Sequence, residues 1–523
     1  MAVDEASRID RQTMTPRLLI AALTVCLCAL PAALAQPSSP TQNLPSLGDT
    51  EREELSPAAE RKLGEQIMRD IRRDRDYLDD APLLEYLNNF GSGLLTIRPE
   101  ARGEANFDFF FFAVRDPTLN AFALPGGFIA VHSALVLAAQ NESELASVLA
   151  HEIGHVAQRH IARMLGKQHQ DQLIPLASAV LAALAMRSSP DASSALLIGG
   201  QGLTLQRQLN FSRDAEREAD RIGFQILQDG GFDPSGMVVF FGRMQSASRS
   251  YSEAVPAFLL SHPLTTERIA DIQARIRDQR YKQRADSLDF HLIRARVRVL
   301  QNDSPQGLRE ATAVFENQLQ QDVKAQTVAA KYGLALIALK RGEAGKAQGL
   351  LQEARTVANS MPAEATASKK EGAKSAILSS LAVDIKMAAK QPAEALKEVD
   401  AARAQFPLSR GLARQYADAL IASGRYDEAV TYLRDQIRIY RQEPQLQDRL
   451  AKSYAAQGKQ ALQHLALADS YALSGNLQTA LDQLLIARRA PDASFYDQSE
   501  IDAREREFQS RRREEMKDGH KER

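Results

Sequence analysis

Between residues 56 and 285 the hydrophobic pattern switches between helical and extended periods, and beyond about residue 292 it is helical almost without a break. Ser56 offers an N-cap for a helix running to about Asp74. Residues 107–114 form a dense aromatic run and predict a strand. Residues 120–124 and 128–132 predict two short extended segments about the turn signal Pro125-Gly126-Gly127. Asn141-Glu142-Ser143-Glu144 reads as a capping-box start, after which Leu145, Val148, Leu149 and Ile153 recur at helical spacing. A further helix is expected from near Ser212 to Gly230-Gly231. The mixture predicts an α+β domain. Residues 173–186 are an apolar stretch of 14, too short to cross a bilayer; it reads as a buried helix and loop over the site or, more sharply, as a lid or peripheral membrane contact.

The helical remainder is periodic. Turn-like points at Lys390, Gly424 and Gly458 are evenly spaced at the period of tetratricopeptide repeats, about 34 residues, whereas a plain helical bundle would show no fixed period. Tyr416 and Gly424-Arg425-Tyr426-Asp427-Glu428-Ala429 have the helix, turn and small-residue order of one repeat. Gly342-Glu343 with Ala347, and Gly475-Asn476-Leu477 with Ala480, read as imperfect copies. The interval from 342 to 390 exceeds the period, and the excess matches the polar segment 361–376, expected as an inserted loop.

Chemistry enters through His151-Glu152-Ile153-Gly154-His155. On a helix, residues four apart lie on one face, so both imidazoles can reach one metal ion while Glu152 points toward a bound water. A catalytic zinc needs a third protein ligand and an open position. Glu216-Arg217-Glu218-Ala219-Asp220 lies in the helix starting near Ser212 and puts Glu216 and Asp220 on one face. Glu216 would complete the set. Asp220 could accept the outer N–H of a ligating imidazole, unless the pair is only a solvated acidic face with Arg213 and Arg217. Glu218 points away from that face and is assigned no role. His132, His160 and His169 are expected to be surface or packing histidines.

Composition narrows the choice. At 523 residues the chain exceeds a single core, and 44% hydrophobic with 25% charged residues is ordinary for soluble domains. A net charge of -1 predicts no nucleic-acid partner. Arg17, the apolar residues 18–30 and Ala33-Leu34-Ala35 read as a signal peptide cleaved before Gln36, with translation starting at Met1 or Met14. Both cysteines, Cys26 and Cys28, lie in that apolar run, so the exported chain would hold none. Histidine and carboxylate are then its strong zinc ligands, and a cysteine nucleophile is excluded.

His151-Glu152-x-x-His155 followed by Glu216-x-x-x-Asp220 resembles the gluzincin family that includes the HtpX and CAAX-prenyl endopeptidases, for which the Glu-x-Glu-Ala-Asp form is characteristic. Residues 120–127, Phe211-Ser212-Arg213 and Ser261-His262-Pro263 with Arg268 agree with that resemblance. It implies one zinc ion held by His151, His155 and Glu216, Glu152 as general base, and a substrate-binding edge strand at Asn120, Ala121 and Phe122. By the same resemblance His262 or Arg268 stabilises the oxyanion. His262 has a second reading, as a fourth ligand that closes the site. The whole order of segments resembles periplasmic proteases of outer-membrane protein quality control in Gram-negative bacteria. The expectation is an α+β zincin-type metallopeptidase domain at 55–285 and an all-α tetratricopeptide-repeat solenoid at 290–495. A signal peptide at 1–35, a disordered leader at 36–54 and a charged, solvated tail at 496–523 complete it. Expected partners are unfolded or stalled outer-membrane β-barrel proteins and, through the repeats, the assembly machinery. A chaperone or adaptor with a mostly latent site is the alternative. A membrane-embedded prenyl-protein peptidase is disfavoured, since no mature segment reaches about 18 apolar residues.

Overall fold

A computed structural model describes residues 55–166, 212–250, 258–259, 262–277, 284–321, 323–361 and 375–520. The expected signal peptide and leader, the apolar segment 173–186, His169 and nearly all of the expected inserted loop lie outside these residues.

Helix α1 (Pro57–Ile71) starts at Ser56, whose hydroxyl accepts from the Ala59 N–H at 3.2 Å. Helix α2 (Ala81–Ile97) follows, with Asp80 as its cap. The aromatic run becomes β1 (Phe110–Val114), and the two predicted extended segments become β2 (Ala121–Leu124) and β3 (Phe128–His132). β3 lies in the centre, parallel to β1 and antiparallel to β2, which leaves β2 at an edge. Successive side chains of a strand point to opposite faces, and here both faces are covered. Phe112, Val114, Phe128 and Ala130 pack on Ile67, Met68 and Ile71 of α1. Phe111, Ala113, Ile129 and Val131 join the larger core on the other face. The tight turn between β2 and β3 uses Gly126 and Gly127 at φ 76° and 94°, a region that L side chains rarely enter.

Beyond the sheet come α3 (Ser133–Ala138), α4 (Glu142–Ala157), α5 (His160–Gly166), α6 (Arg213–Asp229), α7 (Ser235–Ser250) and α8 (Thr266–Arg277). The helical half comprises α9 (Leu288–Gln301), α10 (Pro305–Leu319), α11 (Lys324–Lys340), α12 (Ala344–Asn359), α13 (Ala376–Ala388) and α14 (Pro392–Gln405). It continues with α15 (Arg410–Ala422), α16 (Tyr426–Ile439), α17 (Pro444–Ala456), α18 (Gln460–Leu473), α19 (Leu477–Arg489) and α20 (Phe495–His520). The expected turn points are helix ends in left-handed conformation: Gly342, Gly424 and Gly458 at φ 79°, 73° and 71°, and Lys390 at φ 57°. Gly475, at φ 77°, stands half a period after Gly458, so it closes the turn between repeats rather than the turn inside one. Residues 496–520 of the expected solvated tail belong to α20, and Ile501 and Phe508 are buried against α18 and α19. Its charged majority hides these two apolar anchors, which share one helix face two turns apart.

One hydrophobic cluster runs from Leu78 through α4 to Ile385, so residues on both sides of 285–290 share a core. Polar contacts reinforce that junction. Glu142, at the first turn of α4, accepts from the Ser287 N–H at 3.2 Å and the Ser287 hydroxyl, while its own N–H donates to Asp286 at 2.8 Å. Arg296 of α9 donates from Nε and Nη2 to the Asp80 carboxylate at 2.6 and 2.8 Å, and from Nη1 to the Tyr332 hydroxyl at 2.8 Å. No helix among the described residues is long and apolar enough to cross a membrane.

Asp80→Asn keeps the cap acceptor of α2 but leaves the Arg296 cation buried without its counter-charge. An unpaired buried charge costs about 3–5 kcal/mol, so the urea midpoint should fall strongly, whereas Asp303→Asn at an exposed pair should change it little.

Candidate metal centre

Helix α4 owes its position to its cap. Asn141 accepts the Glu144 N–H at 2.9 Å, and Glu144 in turn accepts the Gln140 N–H at 2.7 Å, one residue further out than in a standard capping box. Every residue of the helix is buried. Helix α6 starts at Ser212, which accepts the Ala215 N–H at 3.2 Å, and crosses α4 with almost no side chain between the backbones. A Cβ on Gly154 would sit 2.9 Å from Cα and O of Ala219, and one on Gly223 would sit 3.1 Å from the His151 backbone nitrogen. This crossing sets Glu216 and Asp220 opposite the two histidines.

Four buried residues, His151, His155, Glu216 and His262, bring one donor atom each within 4.8 Å of one another. His151 Nε2 and His155 Nε2 are 3.1 Å apart. Glu216 lies 3.5 Å from the first and 3.4 Å from the second. His262 Nδ1 approaches Glu216 Oε1 to 3.0 Å and His151 Nε2 to 3.3 Å. Phe258 stacks on the His262 ring with centroids 4.6 Å apart, which fixes its plane. Glu152 stands beside them, with Oε1 3.6 Å from His262 Nε2 and Oε2 accepting the Ala123 N–H of edge strand β2 at 2.9 Å.

The electrostatics follow from burial and pairing. Burial opposes a charge on His151, but the Asp220 and Glu216 carboxylates outweigh it and push its pKa up to about 9. Burial and the neighbouring His151 hold His155 well below the usual histidine range, against the pull of Glu216. Burial raises Glu152, with His262 and His151 pulling it back. Burial acts upward on Glu216 as well, yet His262, His151 and His155 hold it well below the carboxylate range. Asp220 lies 3.1 Å from His151 Nδ1, a close electrostatic contact in which that nitrogen is not aligned for a hydrogen bond.

Arg268 differs from the expectation that it serves an oxyanion. Nε and Nη2 donate to Asp220 at 2.7 and 2.8 Å, and Nη1 donates to the Pro263 carbonyl at 2.8 Å and pairs with Glu216 at 2.7 Å. All three nitrogens are committed, so this buried guanidinium holds the two carboxylates. The expected substrate residues lie where β2 begins: the Asn120 carbonyl accepts the His132 N–H at 3.0 Å, Ala121 is buried, and the Phe122 ring meets His132 edge-on. Phe258 N–H donates to the Leu119 carbonyl at 3.3 Å, just before that strand. His132 packs against Thr118 and Asp116, as expected of a structural histidine.

Two residues escape the sequence pattern. His160 is buried and its Nδ1 meets His155 Nδ1 at 2.9 Å, while its Nε2 meets Glu218 Oε2 at 3.0 Å. A spacing of five after His155 matches no helical face, because α4 ends at Ala157 and the chain turns before His160. The available signal is an acidic residue, Glu218, left over in a segment otherwise fully assigned.

The donor set fits a cation. Glu152 Oε1 is a buried oxygen without an aligned hydrogen bond, which costs about 1–3 kcal/mol if left so. Glu216 Oε2 has no aligned hydrogen bond either, although the Arg268 guanidinium lies beside it. These oxygens stand next to two imidazole nitrogens too close for both to carry protons comfortably.

Residues 98–276 match the model of Peptidase family M48, and residues 386–453 match a tetratricopeptide-repeat model. A beta-barrel assembly-enhancing protease of Escherichia coli (strain K12) is 32% identical over 486 residues, covering 93% of this chain and 94% of that protein. The chain belongs to peptidase family M48. This M48 protein is thus a metallopeptidase with a metal ion among its requirements. The relative of the same name from Yersinia pestis is 31% identical over 470 residues, covering 89% of this chain and 91% of that one. The mitochondrial metalloendopeptidase OMA1 of Schizosaccharomyces pombe is 36% identical over 160 residues, 31% of this chain and 44% of its own.

Gly154→Ala should force α4 and α6 of this M48 protein apart. Overpacking of this kind costs about 1–3 kcal/mol, and a lower thermal midpoint together with weaker metal retention on dialysis against a chelator would report it.

Proposed function

We propose that this peptidase is a zinc-dependent endopeptidase of the periplasm that acts on unfolded or stalled outer-membrane β-barrel proteins. In this reading residues 55–285 cut, while the repeats, residues 290–495, dock clients or the assembly machinery. The names of the relatives support the client class. The observation that carries the chemistry is the meeting of an edge strand, a general base and a buried donor set: Ala123 of β2 donates to Glu152, which lies beside His151, His155, Glu216 and His262.

His151, His155 and Glu216 would hold the zinc, all nitrogen and oxygen donors suited to that ion. Bound zinc supplies Lewis-acid polarisation of the scissile carbonyl and acidifies a water molecule. Glu152, raised by burial and anchored at Oε2 by Ala123, takes the proton of the attacking water at Oε1 and passes it to the leaving amine. The edge of β2 offers main-chain groups to an extended substrate, a mode of binding tolerant of sequence. Arg268 and Asp220 position Glu216 and His151 rather than meet the substrate.

A second reading, a chaperone or adaptor with a mostly latent site, draws on one observation. His262 Nδ1 is within the donor set, and a fourth protein donor fills the position that water needs. The segment bearing it also bonds to the carbonyl of Leu119, next to the edge strand.

The test is zinc content and cleavage of an unfolded β-barrel protein. Glu152→Gln should retain stoichiometric zinc and lose about 10²–10⁴-fold in cleavage. His262→Ala should raise cleavage if His262 fills the open position, and lower it if His262 serves the oxyanion. Stoichiometric zinc with no cleavage by the wild type, even with His262→Ala, would favour the chaperone reading over the protease.

A further inference from the structure

Helix α4 stops at Ala157, and the chain reverses through Arg159, a non-glycine residue at φ 49°. Side chains with a Cβ avoid this region, and residues persist there only when their surroundings hold them. The surroundings here are explicit: Arg159 Nε donates to the buried Glu60 carboxylate at 2.9 Å, and Nη2 to the Leu55 carbonyl. The turn starts α5 with His160 and brings its ring back against His155, with ring centroids 4.9 Å apart.

The protons in this contact can be assigned from the atoms. His155 turns Nε2 toward His151 and Glu216. If that nitrogen carries the lone pair for a metal ion, the proton of neutral His155 is on Nδ1 and is donated to His160 Nδ1 at 2.9 Å. His160 then carries its own proton on Nε2 and donates it to Glu218 Oε2 at 3.0 Å. Arg163 Nη2 donates to that same oxygen at 2.8 Å and fixes the carboxylate. Each bond has one donor and one acceptor. With Nδ1 facing His155 and Nε2 facing Glu218, His160 cannot itself be a ligand of the ion.

We propose that His160 and Glu218 are positioning residues for the metal centre, a two-step relay that fixes the tautomer and ring plane of His155 from outside. The inference rests on the metal reading given above and adds a role for two side chains that the chemistry of cleavage does not touch. It also accounts for an asymmetry. His151 has a carboxylate, Asp220, directly at its outer nitrogen, whereas among the described residues the outer nitrogen of His155 meets a second imidazole, which in turn meets a carboxylate. The outer partners of a ligating histidine set its basicity and orientation, and their loss typically costs about 10–100-fold in metal affinity. Glu218 sits at a partly exposed edge of α6, with 36% of its side chain accessible, so it can be changed without opening the core.

The experiment is Zn²⁺ affinity of the full chain, measured by competition with a chromogenic chelator, alongside thermal midpoints of metal-stripped protein. His160→Ala should weaken Zn²⁺ binding about 10–100-fold. His160→Asn, whose amide oxygen can accept where Nδ1 does, should recover most of that loss, which a purely packing role would not predict. Glu218→Ala should weaken binding in the same direction by less, with an unchanged metal-stripped midpoint. Wild-type affinity in His160→Ala, equal losses in His160→Ala and His160→Asn, or a silent Glu218→Ala would each overturn the relay. Should His160→Ala fail to fold, Glu218→Ala decides alone. Absence of Zn²⁺ binding by the wild type would overturn the metal reading itself, and the relay with it, an outcome distinct from a wild type that binds while the variants match it.

Discussion

The close crossing of α4 and α6 is the constraint on which the rest of the centre depends. Neither helix holds a complete donor set: α4 supplies two histidines and the base, α6 supplies Glu216 and Asp220. Bringing them within reach depends on Gly154, where a Cβ would force the backbones to shift, and is helped by Gly223, where a Cβ would be tighter than ordinary contact. Small residues here exchange helix propensity, about 1 kcal/mol for each glycine, for proximity. The strand β2 then adds Ala123, so that three separate elements converge on Glu152, His151 and Glu216.

Convergence in a dry core creates a charge problem, and its solution explains most of the residues around the site. Glu216 and Asp220 are buried beside each other, and Arg268 lies between them with every nitrogen engaged. Buried ions are tolerated only when paired and hydrogen-bonded, and Arg268 supplies that pairing for both carboxylates. His160 and Glu218 perform a similar service on the far side of His155; Arg159 holds the strained turn that delivers His160, and α6 carries Glu218. The same economy recurs at the junction with the helical half, where Arg296 joins Asp80 to Tyr332 and Glu142 ties the first turn of α4 to Ser287. Helix α4, which carries His151 and His155, is therefore fastened at its N-terminus to the start of the helical half.

Local features are readable from the chain without its fold. The caps at Ser56, Asn141 and Ser212, the three short strands and the helix ends at Gly342, Gly424 and Gly458 depend on a few neighbouring residues, whose types announce a cap, a strand or a turn, whereas Lys390 is marked as a turn only by the repeat spacing. The zinc-type spacing is readable for the same reason, since residues four apart on one helix must share a face. Arg268 reads as an oxyanion partner because a family resemblance places an arginine near the site without saying what it touches. Its neighbours are Asp220 and Glu216 of α6 and the Pro263 carbonyl, and only packing reveals that they engage all three of its nitrogens. His160 escapes for the complementary reason: a chain reversal at Arg159 breaks the periodicity that links position to face.

The sequence by itself determined the caps, the three short strands, the two motif-bearing helices, the repeat period and the chemical identity of the donors, because helix spacing, turn preference and side-chain donor type are properties of short stretches of chain. Tertiary structure alone decided which donors meet, since Glu216 and His262 come from segments far along the chain from His155. It also decided that His262 stands among the donors, that Arg268 is spent on carboxylates and that His160 backs His155. The physical reason is one of range. Hydrogen bonds and metal contacts act over about 3 Å, a distance that sequence spacing fixes inside one helix and leaves open between two.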